Sequence, residues 1–123
     1  MTKGFEESLS LFKDKISDCV KSQKSISITT HIDCDGLTSG SIIAKALIRE
    51  GAKCTLRTSK EFSKNIAESF KTDSRDFHIV TDLGGGFAKD LNQILEDDWI
   101  ILDHHQKSEE EKDNQNVINA WKY

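Results

Sequence analysis

Three short stretches of this 123-residue chain hold residues able to do chemistry. They are His31-Ile32-Asp33-Cys34-Asp35-Gly36, then Thr81-Asp82 ahead of Gly84-Gly85-Gly86, then Asp103-His104-His105. Each has an ordinary reading when it stands alone. Asp and Gly are common turn residues, Asp35 is suited to capping a following helix, and His104-His105 reads equally as one packed and one solvated ring. Together the stretches carry four carboxylates and three imidazoles. Carboxylates crowded into one site repel and raise one another's pKa. Divalent cations remove that repulsion. An oxygen-rich set with an imidazole or two suits manganese or magnesium better than a thiolate zinc site. Two such ions activate water and stabilise the leaving oxygen of a phosphoryl transfer. The helix start at Gly36 offers free backbone N–H groups as a phosphate seat, with Ser39 close by, although a helix-start serine also serves as a cap.

That chemistry requires the three stretches to meet, and the elements between them decide whether they do. Phe5, Leu9, Phe12, Ile16 and Val20 recur at three- and four-residue steps and predict an amphipathic helix over 5–22. Residues 25–31 alternate and are β-branched, hence a strand. The apolar positions between Gly36 and Glu50 suit a well-buried helix closed by Gly51. Strands are expected over 52–58, 77–82 and 99–105, with an exposed helix near 60–71, a short helix over 87–96 and a candidate fifth strand from 117. Residues 108–116 read as a polar loop, and no proline helps place the boundaries. Strands alternating with helices predict an α/β fold: a three-layer αβα sandwich on a mainly parallel sheet of four to five strands, doubly wound and covered on both faces. In a parallel sheet every carboxyl end lies on one edge, where ligands of open α/β sheets bind. His31 with Asp33 and Asp35, then Asp82, then Asp103 with His104 and His105 would all arrive there. Cys34, flanked by the two aspartates on extended chain, points away from them and reads as a small core residue.

Bulk properties bound the partners. The net charge is −4, so no basic footprint announces nucleic acid, but a metal cluster can supply local positive charge that a residue count misses. Three cysteines without CxxC spacing suggest a reducing, cytoplasmic setting rather than a disulfide framework. The N-terminus carries acids early and lacks a signal-peptide core, and no apolar run approaches the roughly 20 residues of a membrane span.

The three motifs, in this order on a βαβ pattern, resemble the first three motifs of the DHH phosphoesterase family, named for the Asp-His-His triplet. The spacing His31-x-Asp33-x-Asp35-Gly36 is similar to that of RecJ-like nucleases, particularly the archaeal type. The resemblance implies two divalent ions, with manganese foremost and magnesium the alternative. It assigns Asp33 to one ion, with or without His31, and Asp35 to the other. Asp82 would bridge both, and His104 would bind the second. Asp103 would be a ligand or an orienter of its neighbour, and His105 would contact the scissile phosphate.

The implied reaction is phosphodiester hydrolysis by metal-activated water on single-stranded DNA or RNA, with Asp82, His104 and His105 the catalytic group. Replication or repair proteins are the implied partners. A replication-complex scaffold and a small-nucleotide phosphatase of the same superfamily are the alternatives. The family's fourth aspartate motif finds no match after His105, Asp113 included, and its glycine-rich substrate domain is absent from the chain. The expectation is a single domain over 1–123, the N-terminal part of a DHH domain, inactive or nearly so by itself.

Overall fold

The computed structural model describes residues 4–105 and 114–119. Asp113, most of the polar stretch 108–116 and the terminal Trp121-Lys122-Tyr123 lie outside them. Five helices and strands lead up to the second site motif: α1 (Phe5–Lys21), β1 (Ser25–His31), α2 (Cys34–Arg49), β2 (Lys53–Ser59) and α3 (Lys64–Thr72). There follow β3 (Phe77–Thr81), a 3-10 turn (Gly85–Phe87), α4 (Ala88–Leu95), β4 (Trp99–Asp103) and β5 (Val117–Asn119). The strands form one sheet in the order β2-β1-β3-β4-β5, every pair parallel. The expected three-layer α/β architecture is therefore the one observed.

The winding follows from chirality. Crossovers between parallel strands are right-handed, so reversing the direction of travel across the sheet moves the connecting helix to the other face. The chain steps outward from β1 to β2 through α2, then reverses past β1 to β3 through α3 and continues to β4 through α4. One face accordingly packs α1 and α2, with Phe12, Ile16, Cys19 and Leu47 against Ile26, Ile28, Phe77, Ile79 and Ile100. The other packs α3 and α4, with Ala67, Phe70 and Leu91 against Val80, Trp99, Ile101 and Val117. Period-two alternation in β1 and β3 sends Ile26, Ile28 and Ile79 to the first face and Val80 to the second. Trp99 is fully buried and satisfies its indole N–H on the Glu96 carbonyl at 3.0 Å.

Three expectations need correcting. The helix after Gly36 is not well buried: Ile42 and Ile48 are each 64% exposed, and its buried positions are Gly36, Gly40 and Leu47. Apolar composition records how greasy a helix is, not how many of its sides have neighbours. The helix near residue 60 starts later, at Lys64, and buries Ala67 and Phe70, so it is amphipathic rather than exposed. Cys34 is exposed, because α2 begins at Cys34 itself and helical rather than extended geometry turns the thiol to solvent. None of the described helices is long and apolar enough to cross a membrane.

Candidate metal centre

Strand order brings the motifs together. β1 and β3 are neighbours, and the chain leaves them in opposite directions across the sheet, which makes their carboxyl ends the switch point where open α/β folds hold ligands. Asp33 follows β1, Asp82 follows β3, and β4 delivers Asp103-His104-His105 on the far side of Asp82.

The first segment is held by α2. Asp33 is its N-cap, with Oδ1 accepting from the Gly36 N–H at 2.9 Å. That bond leads the causes that hold the Asp33 carboxyl below its ordinary pKa. Gly36 is there of necessity, since a Cβ would lie 2.6 Å from the His31 carbonyl carbon and closer still to its oxygen. A chain of hydroxyls fastens the same turn to the sheet. Thr81 Oγ1 donates to Thr30 Oγ1 at 2.8 Å, Thr30 Oγ1 donates to the Gly36 carbonyl at 2.6 Å, and Ser39 Oγ lies 3.0 Å from Thr81 Oγ1. The two groups expected to seat a phosphate, Gly36 N–H and the Ser39 hydroxyl, are thus both engaged within the protein.

His31 is fixed from behind. Its Nε2 lies 2.7 Å from the Lys60 carbonyl, and a carbonyl can only accept, so Nε2 carries the proton. In the neutral ring Nδ1 is then a lone pair, turned toward the site. It sits 2.7 Å from Asp33 Oδ2 and 3.8 Å from Asp82 Oδ2, yet makes no well-formed hydrogen bond with either. The Asp33 carboxylate beside the ring is the main cause that raises the His31 pKa. A tautomer set by a backbone carbonyl, with the other nitrogen facing carboxylates, is the usual state of a metal-binding histidine.

Asp82 is the centre of the group. It is 4% exposed, with backbone φ +61°, a left-handed conformation that Asp tolerates better than most residues. Burial pushes its carboxyl pKa up. Oδ1 meets His104 Nε2 at 2.6 Å, while Oδ2 is buried without a hydrogen-bond partner. Asp103 Oδ1 accepts from the His104 and His105 N–H groups at 2.8 and 3.3 Å and lies 2.6 Å from His105 Nδ1. This contact leads the causes that raise the His105 pKa. In this geometry Asp103 orients its two neighbours. Asp35, in the first turn of α2, reaches toward the same space, with Oδ2 3.8 Å from His104 Nε2.

Two groups can each converge on one cation, with their nearest ligand atoms within 4.8 Å of one another: His31, Asp33 and Asp82, and then Asp82, Asp103, His104 and His105. Asp82 belongs to both. Asp35 belongs to neither. Among the described residues no lysine or arginine pairs with these carboxylates. The orphaned Asp82 Oδ2 and His31 Nδ1 meet in one buried corner, and the hard oxygen-and-imidazole donor set fits a manganese- or magnesium-type ion. A cleft of about 610 Å³ opens in front, with Asp35, Asp82, Asp103 and His104 on its polar side and Leu9, Ile42, Leu102 and Ile118 on its apolar side.

Residues 25–123 match the model of the DHH family, N-terminal domain. The chain belongs to the DHH family. An uncharacterised protein of Methanocaldococcus jannaschii is 34% identical to it over 85 residues, 65% of this chain and 19% of that protein. Among solved structures, exonuclease RecJ bound to manganese superposes with a TM-score of 0.72 at 20% identity, over 97% of this chain and 31% of that one. RecJ from Thermus thermophilus in complex with Mn2+ gives the same TM-score at 22% identity, over 95% and 17% of the two chains. This DHH chain therefore shares the RecJ fold and spans under a third of either structure's length.

Several groups that shape the DHH site carry no signature in the sequence. Lys60 acts through a backbone carbonyl, which any residue would supply. Thr30 and Thr81 read as β-branched strand formers, and only their adjacent positions in the β1–β3 register reveal a hydroxyl chain.

Proposed function

We propose that this chain carries the metal-binding part of a RecJ-like phosphodiesterase that hydrolyses single-stranded DNA or RNA, and that it forms the N-terminal part of a DHH domain. The observation that carries the reading is Asp82 Oδ2, buried without a hydrogen-bond partner 3.8 Å from His31 Nδ1 and close to Asp33, with no lysine or arginine among the described residues paired to these carboxylates. A buried carboxylate oxygen left without a partner costs about 1–3 kcal/mol or more, a cost that a bound cation removes. His31, Asp33 and Asp82 would hold one ion; Asp82 and His104 would hold the other, to which Asp35 Oδ2, 3.8 Å from His104 Nε2 and outside the converging set, would have to move. Divalent ions there supply Lewis-acid activation of water and neutralise charge on the leaving oxygen. Manganese, the ion in both solved RecJ relatives, is the favoured one.

The chain's own residues do the rest. Asp33 spans the space between the α2 cap and His31, using one oxygen for each. Lys60 keeps the His31 proton on Nε2, so that Nδ1 stays a donor atom for metal. Asp103 keeps the His105 proton on Nδ1 and turns the ring's Nε2 away from itself, where it would meet a substrate phosphate. A scaffold without chemistry would have no physical use for this concentration of acids, which supports the enzymatic reading over the structural one.

Titration of the chain with Mn2+, followed by electron paramagnetic resonance, tests the metal reading. Saturable binding, lost on Asp82→Ala, is expected, and no binding above that of a non-specific acidic surface refutes it. For the reaction, the complete gene product is expected to release mononucleotides from a labelled single-stranded oligonucleotide in manganese. An unchanged rate in Asp82→Ala would overturn the role given to that residue.

A further inference from the structure

Asn119 is 1% exposed at the end of β5, in register with Asp103 on β4. Its Nδ2 donates to the His105 carbonyl oxygen at 2.9 Å, across 14 residues of chain. A fully buried primary amide is expensive to place and is kept only where it is hydrogen-bonded, so its position at the site edge calls for a reason. The reason lies in how His105 is otherwise held. Its N–H and its ring Nδ1 both meet one atom, Asp103 Oδ1, at 3.3 and 2.6 Å. Two contacts to a single atom leave a residue able to pivot about it. The ring itself is 57% exposed, and the His104 ring that packs against it, with centroids 4.5 Å apart, is itself 55% exposed. Asn119 grips the opposite end of the His105 peptide from the neighbouring strand, and an anchor on each of two paired strands removes the pivot.

We propose that Asn119 is a positioning residue, which sets the direction of the His105 ring by holding its carbonyl and thereby tunes contact with a substrate phosphate. The phosphate half of this inference rests on the phosphodiesterase reading above; the His105 orientation does not. Asn119→Leu is the informative variant. It keeps the side-chain volume and removes the buried amide, leaving the His105 carbonyl without its donor at a cost of about 1–3 kcal/mol. Asn119→Asp puts an acceptor against the carbonyl and serves as the harsher counterpart.

The first readout is nitrogen-15 NMR of the His105 imidazole in the metal-free protein. Wild type is expected to show a slowly exchanging Nδ1–H, and Asn119→Leu exchange faster by about tenfold. The second readout is inorganic phosphate binding to the Mn2+-loaded protein. Phosphate affinity is expected to fall about two- to tenfold, the range that one hydrogen bond supports, while Mn2+ affinity stays within about twofold. Unchanged imidazole exchange in Asn119→Leu overturns the proposal, and so does faster exchange with unchanged phosphate affinity. Should Asn119→Leu fail to fold, wild type decides: protected Asn119 amide protons support the anchor, and amide protons exchanging at the solvent rate refute it. A wild-type chain that binds neither Mn2+ nor phosphate sinks the phosphodiesterase reading, and the imidazole exchange then still tests the anchor.

Discussion

Gly36→Ala sets two physical effects against each other with opposite signs. Gly36 has ordinary helical backbone in the first turn of α2, and replacing a helical glycine with alanine there is worth at most about 1 kcal/mol of added stability from propensity. Against this, the new Cβ would press on the His31 backbone, 2.6 Å from its carbonyl carbon and 2.8 Å from its Cα. Ordinary contact begins at 3.4 Å, and backbone cannot rotate aside as a side-chain tip can, so the start of α2 must lift by about an ångström. Overpacking of this kind costs about 1–3 kcal/mol. The lift also loosens the Asp33 cap at 2.9 Å and the Thr30 bond to the Gly36 carbonyl at 2.6 Å, for about 1 kcal/mol each. The clash therefore outweighs propensity, leaving a net loss of about 2–4 kcal/mol and a melting temperature lower by roughly 10 °C in a domain of this size. Because Asp33 and Asp35 ride on that turn, Mn2+ affinity should fall more than about tenfold. Circular-dichroism melting and Mn2+ calorimetry read the two effects. A raised melting temperature, or Mn2+ affinity within twofold of wild type, would refute the close-approach account of Gly36.

Asp82→Asn keeps a residue that tolerates positive φ and removes a buried charge, so the metal-free protein should melt at the same temperature or higher while Mn2+ binding drops at least about tenfold. A destabilised metal-free variant would count against electrostatic strain at this position. Mn2+ should raise the melting temperature by mass action, by about 2.7 kcal/mol of stability at a hundred times its Kd, and EDTA should reverse it. No shift at millimolar Mn2+ would contradict a formed site. His78 is 1% exposed, stacked on Phe70, with its Nδ1 3.0 Å from the Ser27 hydroxyl, and burial holds its pKa below the ordinary value. The unfolded chain takes up a proton near pH 6.5 that folded His78 refuses, so its effect is a loss of stability as pH falls below about 6.5. Urea midpoints of wild type and His78→Gln between pH 7 and 5 isolate it. A wild-type midpoint that falls no more steeply with acid than that of the variant would contradict this assignment.

Much of the site was legible because its parts are local. The Asp33 cap, the strand ends at His31, Thr81 and Asp103, and the βαβ alternation all follow from residues within a turn or two of one another, and parallel strands then oblige the carboxyl ends to share an edge. Periodicity, however, reports which residues are apolar and not what stands opposite them. Hence α2 was expected to be buried, although Ile42 and Ile48 face outward, and Cys34 was expected in the core, although it opens the helix on the solvent side. The sequence by itself determined the chemistry available: four aspartates and three histidines at the ends of three strands. Tertiary structure alone decided how they are used. The order β2-β1-β3-β4-β5 puts Asp33 beside Asp82 at a switch point, the Lys60 carbonyl sets the tautomer of His31 from 29 residues away, and Asn119 holds His105 across a strand pair. Those contacts join residues distant along the chain, through atoms that no single stretch of sequence marks out.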